Sequence, residues 1–118
     1  METETDFRTA QSVLDWLERK IRSKEIIDSH TWVQSAEYLN ILSVDETDRL
    51  FDLQQSVAKE KVKYIEDGKS VAQSKTMVEA SDIYKDMLKQ SAKLSRITEA
   101  IRIAKIQARL ADQSYRNN

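Results

Sequence analysis

The feature that most constrains this chain is its near lack of helix-breaking residues. The 118 residues include no proline and a single glycine, Gly68. Proline removes a backbone hydrogen-bond donor and glycine raises the entropic cost of ordering the backbone, so both residues interrupt helices. With 40% apolar and 33% charged residues, the chain is also too apolar to be disordered. We therefore expect one all-α domain over residues 1–118, built from long helices.

The composition also narrows the compartment. The chain has no cysteine, which excludes disulfides and thiolate-ligated metals and is typical of a reducing environment. The opening METETDF is acidic, unlike a signal peptide. No apolar run approaches the roughly 18 residues that a membrane-spanning helix needs. We expect a cytoplasmic protein with no membrane contact.

The apolar spacing predicts two short helices in residues 1–42. The first, over about residues 5–27, is capped at Thr3 with Asp6 and carries apolar residues at three- and four-residue steps. Thr31 with Gln34 matches a capping box, in which two side chains satisfy the free donors at a helix start. This pair predicts a second helix to about Leu42, with its buried side at Trp32, Ala36 and Leu39.

Residues 43–118 are predicted to form a long helical hairpin. Ser43 with Glu46 is a second capping box and predicts a third helix over about 44–66. Its predicted apolar positions are Leu50, Leu53 and Val57, with Phe51, Ala58, Val62 and Ile65 beside them. A turn at 67–70 should follow, because glycine at position 68 suits the left-handed residue that ends a helix. Ser70 with Gln73 then starts the second arm, and nothing in the sequence interrupts it from Val71 to about Tyr115. About 45 residues make a rod on the order of 65 Å long.

The second arm carries a heptad seam, in which apolar residues recur at alternating steps of three and four. A helix this long exceeds what a globule of 118 residues buries, so the seam predicts partner helices from other copies in a coiled coil or bundle. Gln90 is the polar exception and is expected to fix register or stoichiometry. The predicted oligomerisation residues are Ala80, Ile83, Met87, Gln90, Leu94, Ile97, Ile101, Ala104 and Ala108.

Nothing in the sequence indicates catalysis, a cofactor or a metal site. His30 is the single histidine and stands beside a predicted helix start, where such a residue is usually structural or solvated. The DGKS segment at 67–70 lacks the first glycine and the preceding strand of a phosphate-binding loop, so it is interpreted as a turn and cap. We therefore expect a protein that works by binding and assembly rather than as an enzyme.

Charge is distributed unevenly along the chain. Residues 1–84 carry a net charge of −6 and residues 85–118 carry +5. The basic residues on the outer heptad positions favour either a solvated face or a track for a phosphate backbone, which binds cations by releasing counterions. The candidate nucleic-acid-binding residues are Lys59, Lys61, Lys63, Lys85, Lys89, Lys93 and Arg96.

The segment from Val57 to Tyr64, followed by Gly68, resembles the UvsY recombination mediators of T-even-like phages. In that family a central Lys-x-Arg-x-x-Tyr motif runs into a glycine turn, and here Lys59, Lys61 and Tyr64 stand at the matching spacing. Lysine replaces the family's arginine at 61, and Glu60 places an acid inside the motif. The resemblance implies a phage protein in the host cytoplasm.

Two functions remain open at this point. The resemblance implies a homo-oligomer that binds single-stranded DNA, displaces a single-strand binding protein and loads a RecA-like recombinase. The alternative is a coiled-coil structural or adaptor protein, for example in virion assembly, that acts through protein contacts alone. Beside these two, a regulator that binds another protein by helix packing is also open.

Overall fold

The computed structural model describes residues 7–117, with side chains as far as Ser114, and these residues fold into four α-helices and no strand. The helices are α1 (Ala10–Ser23), α2 (Ser29–Glu66), α3 (Val71–Glu79) and α4 (Asp82–Asn117). The predicted all-α fold is thus confirmed. Within the described residues, no helix combines the length and apolarity that crossing a bilayer requires.

Helix α1 is shorter than the predicted span of 5–27. Thr9 caps its N-terminus and shares a capping box with Ser12. The helix ends before Lys24, which adopts a left-handed conformation with φ of 56°. The predicted cap at Thr3 and Asp6 lies outside the described residues. The buried Lys20 forms an ion pair with Glu25 at 2.6 Å, which holds the chain just after the helix end.

Helix α2 is one helix of 38 residues, so the predicted division near Leu42 is wrong. The hydroxyl of Ser43 donates to the Asn40 carbonyl oxygen at 2.7 Å, inside the helix, instead of capping a new one. The N-terminal cap comes from Asp28, whose carboxylate accepts from the Thr31 backbone N–H at 2.7 Å. The predicted burial of Trp32, Ala36 and Leu39 is confirmed.

The turn after α2 forms as predicted. Gly68 has φ of 95°, its N–H donates to the Ile65 carbonyl, and the Lys69 N–H donates to the Tyr64 carbonyl. This pair of bonds is the Schellman arrangement that ends helices at a left-handed residue. Ser70 and Gln73 then form the predicted capping box at the start of α3.

The predicted uninterrupted arm from Val71 is wrong, because α3 ends at Glu79 and α4 begins at Asp82. Ser81 serves both helices: its hydroxyl donates to the Val78 carbonyl at 2.5 Å and accepts from the Tyr84 N–H at 3.3 Å. A serine side chain thus replaces two of the backbone bonds that a continuous helix would make. At 1.5 Å per residue, the 36 residues of α4 span about 54 Å.

The contacts divide the chain into two compact units. Unit 1 comprises Met1–Val44 and Ser95–Asn118, and unit 2 comprises Asp45–Leu94. Unit 1 has an aromatic core in which Trp16 makes edge contacts with Phe7 at 5.3 Å and with Trp32 at 5.6 Å between ring centroids. Unit 2 contains the C-terminal part of α2, all of α3 and the start of α4, and it buries few large side chains.

The heptad seam of α4 is covered by its own chain. Among the nine predicted oligomerisation residues, only Ala80 is exposed; the others are buried or half-buried in a single chain. The buried ones are Gln90, Ile97, Ala104 and Ala108, and the half-buried ones are Ile83, Met87, Leu94 and Ile101. The premise that only other copies could cover this seam is therefore wrong. Self-association itself stays a prediction.

Candidate functional site

A polar network joins α2 to α4 inside unit 2. The Gln90 side-chain N–H donates to the backbone carbonyl oxygen of Glu46 at 2.8 Å, and Lys93 Nζ forms an ion pair with Glu46 Oε2 at 2.8 Å. Burial raises the pKa of Glu46, but bonds from Lys93 and Gln90 and the charges of Lys93 and Arg49 outweigh it and leave that pKa below its ordinary value. The carboxylate is therefore held in its charged form.

Gln90, which the sequence assigned to register or stoichiometry between copies, here bonds to α2 of its own chain. An amide that must reach one particular backbone carbonyl fixes how far α4 can slide along α2. Lys93, a predicted DNA contact, forms an ion pair with Glu46, and about a quarter of its side chain is exposed. In this structure it is a packing residue of unit 2.

The three lysines around the Lys-x-Lys-x-x-Tyr segment do not share one side of α2. At 100° per residue, Lys59 and Lys63 lie about 40° apart, whereas Lys61 lies about 160° from each of them. Lys59 and Lys63 are exposed and line an open groove of about 500 Å³, and Lys61 is half-buried. The groove is mixed in charge, because Glu60 and Asp67 also line it.

Tyr64 borders this groove, and its hydroxyl donates to Glu60 Oε1 at 3.2 Å. The hydrogen bond, together with partial burial and the nearby negative charge, raises the pKa of Tyr64 above its ordinary value. The phenol is thus protonated at neutral pH and engaged with its own helix. It is half-buried, as expected of a packing residue.

The other predicted basic residues are divided between the two units. Lys85 and Lys89 are exposed and one helical turn apart on α4, in unit 2. Arg96 belongs to unit 1, where it lines an open groove of about 330 Å³. That groove is formed by α1 and α4 and is mainly apolar, with Leu14, Leu17, Ile21, Ala100 and Ile103 among its lining residues.

A further apolar surface, which the sequence did not indicate as exposed, runs along α2 in unit 2. Phe51, Ala58, Val62 and Ile65 are all exposed, and we call these four residues the outer stripe. Phe51 is 58% exposed, and Val62 is 50% exposed. The signal was present, because Phe51, Ala58 and Ile65 recur at steps of seven.

The inner side of α2 explains why this signal was missed. Leu50, Leu53 and Val57, which the sequence assigned to the inside, are half-buried as predicted. At 100° per residue, the mean direction of these three side chains lies roughly 120° from that of the outer stripe. A helix with two separate apolar sides can pack against two neighbours at once.

No cluster of three or more potential metal ligands occurs among the described residues, and His30 is exposed at the start of α2. Comparisons of the chain with protein-family models, with curated proteins and with solved structures gave no match. The resemblance to recombination mediators therefore stays a prediction that depends on the short segment around Lys59.

Proposed function

We propose that this chain is a non-enzymatic helical assembly protein, which acts by packing the outer stripe of α2 against a helix of another polypeptide. The observation that carries this proposal is the exposure of Phe51, Val62 and Ile65 along one side of a single helix. Soluble proteins rarely expose a contiguous row of large apolar side chains, and such rows usually mark interaction surfaces. The aromatic ring of Phe51 is the kind of side chain that anchors an interface.

The mechanism needs rigidity more than chemistry. The Glu46 network bonds α4 to α2, and the outer stripe of α2 stays exposed to receive a partner. Because the stripe lies on a helix rather than on a loop, little ordering entropy is lost when a partner binds. The protein would thus present a preformed helical surface against which other helices pack.

A photo-crosslinking amino acid placed in living bacterial cells tests this proposal. Incorporated at Phe51, it should give adducts of discrete mass. Incorporated at Leu88, an apolar position of similar exposure on α4, it should give none above background. Mass spectrometry of the adduct identifies the bound polypeptide, whether a second copy or a different protein. Equal labelling from both positions, or no adduct from Phe51, would refute the proposed surface.

A second candidate is the single-stranded DNA binding that the resemblance implies. It is favoured by the exposed pair Lys59 and Lys63, which lie on one side of α2 and, in the described part of the chain, form no ion pair. Lys85 and Lys89 form a similar exposed pair in the same unit. These four ammonium groups would contact phosphates without reading sequence, since phosphate contacts carry no base information.

Titration of fluorescent oligo-dT at two salt concentrations tests the second candidate. Single strands lose affinity with a logarithmic slope of about −0.7 per phosphate contact, so four contacts predict a slope near −3. Lys59→Glu with Lys63→Glu should abolish binding, whereas Lys61→Glu, on the other side of the helix, should change it less. Failure to bind at low salt would remove this candidate. Binding would justify testing whether the protein displaces a single-strand binding protein and loads a RecA-like recombinase.

A further inference from the structure

We infer that the occupant of the outer stripe is a second copy of this chain, docked with its α2 antiparallel to the first. The inference rests on the proposed role of the stripe as a docking surface and adds the identity and direction of the partner. The heptad seam of α4 is largely covered by its own chain, so this inference places the self-association surface on the outer stripe of α2 instead.

The spacing of the stripe suits helix pairing. Phe51, Ala58 and Ile65 occupy one heptad position, and Gln55 and Val62 occupy the other core position. Five consecutive core positions with one polar exception form a seam of two heptads in a helix that is already ordered. Pairing therefore costs no helix nucleation, which is the step that limits isolated helices of this length.

Charge decides the direction. Within the stripe segment of α2, residues 45–55 carry a net charge of −3 and residues 56–66 carry +1. Two parallel copies would place the acidic halves side by side. Two antiparallel copies place the acidic half of each against the basic half of the other, which lowers the electrostatic energy of the complex.

The flanking positions specify a register. When Phe51 packs against Val62 of the partner subunit, Gln55 meets Ala58 of the partner subunit. The position after Phe51 then faces the position after Ala58, so Asp52 lies beside Lys59 of the partner subunit, and two-fold symmetry repeats the pair. Asp52 and Lys59 are both exposed and, among the described residues, neither forms an ion pair within the chain.

One contact in this register is unfavourable. Asp45 faces Glu66 of the partner subunit at each end of the paired segment. Both side chains are exposed, so water and salt screen their repulsion. The central Asp52–Lys59 pairs flank the Phe51 rings, which the dimer would bury, so water and salt screen these pairs less. We therefore expect the register to be set at its centre.

Sedimentation equilibrium on the purified full chain tests whether it dimerises. The wild type should approach twice its 13.7 kDa mass as its concentration rises. Phe51→Asp should raise the dissociation constant at least tenfold, because it places a charge in both halves of the seam. Leu88→Asp changes an apolar side chain of similar exposure on α4 and should leave the constant unchanged. Circular dichroism should show the same helix content in all three proteins.

A charge-exchange experiment tests the direction. Asp52→Lys alone leaves two basic residues at the paired positions, and Lys59→Asp alone leaves two acidic ones, so each variant should dimerise at least tenfold more weakly. An equimolar mixture of the two variants should form a heterodimer, because each antiparallel contact then joins opposite charges. In a parallel pair these two positions would not face each other, and mixing would restore nothing.

The outcomes separate this inference from the proposed function. A monomer at every concentration, with a crosslinked adduct of a different protein at Phe51 in cells, overturns self-association and leaves the docking surface intact. A monomer with no adduct overturns both. A dimer that Phe51→Asp does not weaken overturns the stripe as its interface, and a dimer that mixing does not restore overturns the antiparallel register.

Discussion

Replacing Glu46 by glutamine should weaken unit 2, because it removes the negative charge while keeping the size of the side chain. The Glu46 carboxylate accepts from Lys93 at 2.8 Å and from Gln90 at 3.4 Å, and its side chain is only 14% exposed. Hydrogen bonds to charged groups contribute about 1.5–3 kcal/mol when they are desolvated. Because a quarter of Lys93 is exposed and screened, we expect Glu46→Gln to lower the free energy of unfolding at pH 7 by about 1–2 kcal/mol.

The pH dependence gives this prediction a sharper form. The pKa of Glu46 is lowered in the folded chain, so the native state binds this proton less readily than the unfolded state does. The carboxylate therefore stabilises the fold fully above the unfolded pKa of about 4.3 and loses that contribution as pH falls through the native pKa. Glutamine does not titrate. The difference between wild type and variant should be largest at neutral pH and shrink below about pH 4.

Urea denaturation followed by far-ultraviolet circular dichroism measures the difference, because unit 2 contains no tryptophan and its helices dominate the signal it contributes. Glu66→Gln, an exposed residue of the same helix, serves as the control and should stay within about 0.5 kcal/mol of wild type. A Glu46→Gln protein as stable as wild type at pH 7 would refute the network's role. So would a deficit that persists unchanged at pH 3.5.

Three further changes test the packing and the helix ends. Leu39→Ala, at a fully buried site of unit 1, should cost about 3 kcal/mol by urea denaturation followed through tryptophan fluorescence, and a cost below about 1 kcal/mol would contradict a packed core there. Gly68→Ala should lower the free energy of unfolding by about 1–2 kcal/mol, because the left-handed φ of 95° opposes alanine although nothing lies within 4 Å of the added carbon. An unchanged midpoint in thermal denaturation would contradict this. Ser70→Ala should cost about 1 kcal/mol in the same assay, and Ser70→Asp, which can also cap, should recover most of it.

The parts of the fold that sequence predicted are those fixed by local chemistry. The turn at Gly68 follows because one residue type tolerates its φ. The cap at Ser70 follows because two side chains three residues apart each accept from the other residue's backbone N–H. The burial of Trp32 and Leu39 follows from helical periodicity. Each of these features needs only a few neighbouring residues to specify it.

The errors arose where a local signal has two possible outcomes. Ser43 can cap a helix or bond back to the Asn40 carbonyl within one, and the sequence does not distinguish these. Ser81, unlike Ser43, lies between two helices, where its hydroxyl bonds to both α3 and α4 although neither glycine nor proline stands there. The choice depends on how neighbouring helices pack, which a linear pattern does not contain.

The candidate sites were less predictable than the fold. A heptad seam shows that a side of a helix is covered, but it does not show by which helix. The seam of α4 was therefore assigned to other copies, although its own chain covers it. The outer stripe of α2 was overlooked because its residues were grouped with the neighbouring inner positions Leu50, Leu53 and Val57. Lys93 was counted as a ligand-binding group because its partner, Glu46, lies 47 residues earlier.

The division of contacts between the two units has a consequence for the growing chain. Unit 2 is one continuous segment, Asp45–Leu94, whereas unit 1 joins residues before 45 to residues after 94. On the ribosome, the aromatic side chains of Phe7, Trp16 and Trp32 emerge before unit 2, yet their core lacks Ile97 and Ala104 until residues after Leu94 are translated. The core of unit 1 is thus completed only after all of unit 2 has been synthesised, and its apolar residues stay uncovered in the meantime.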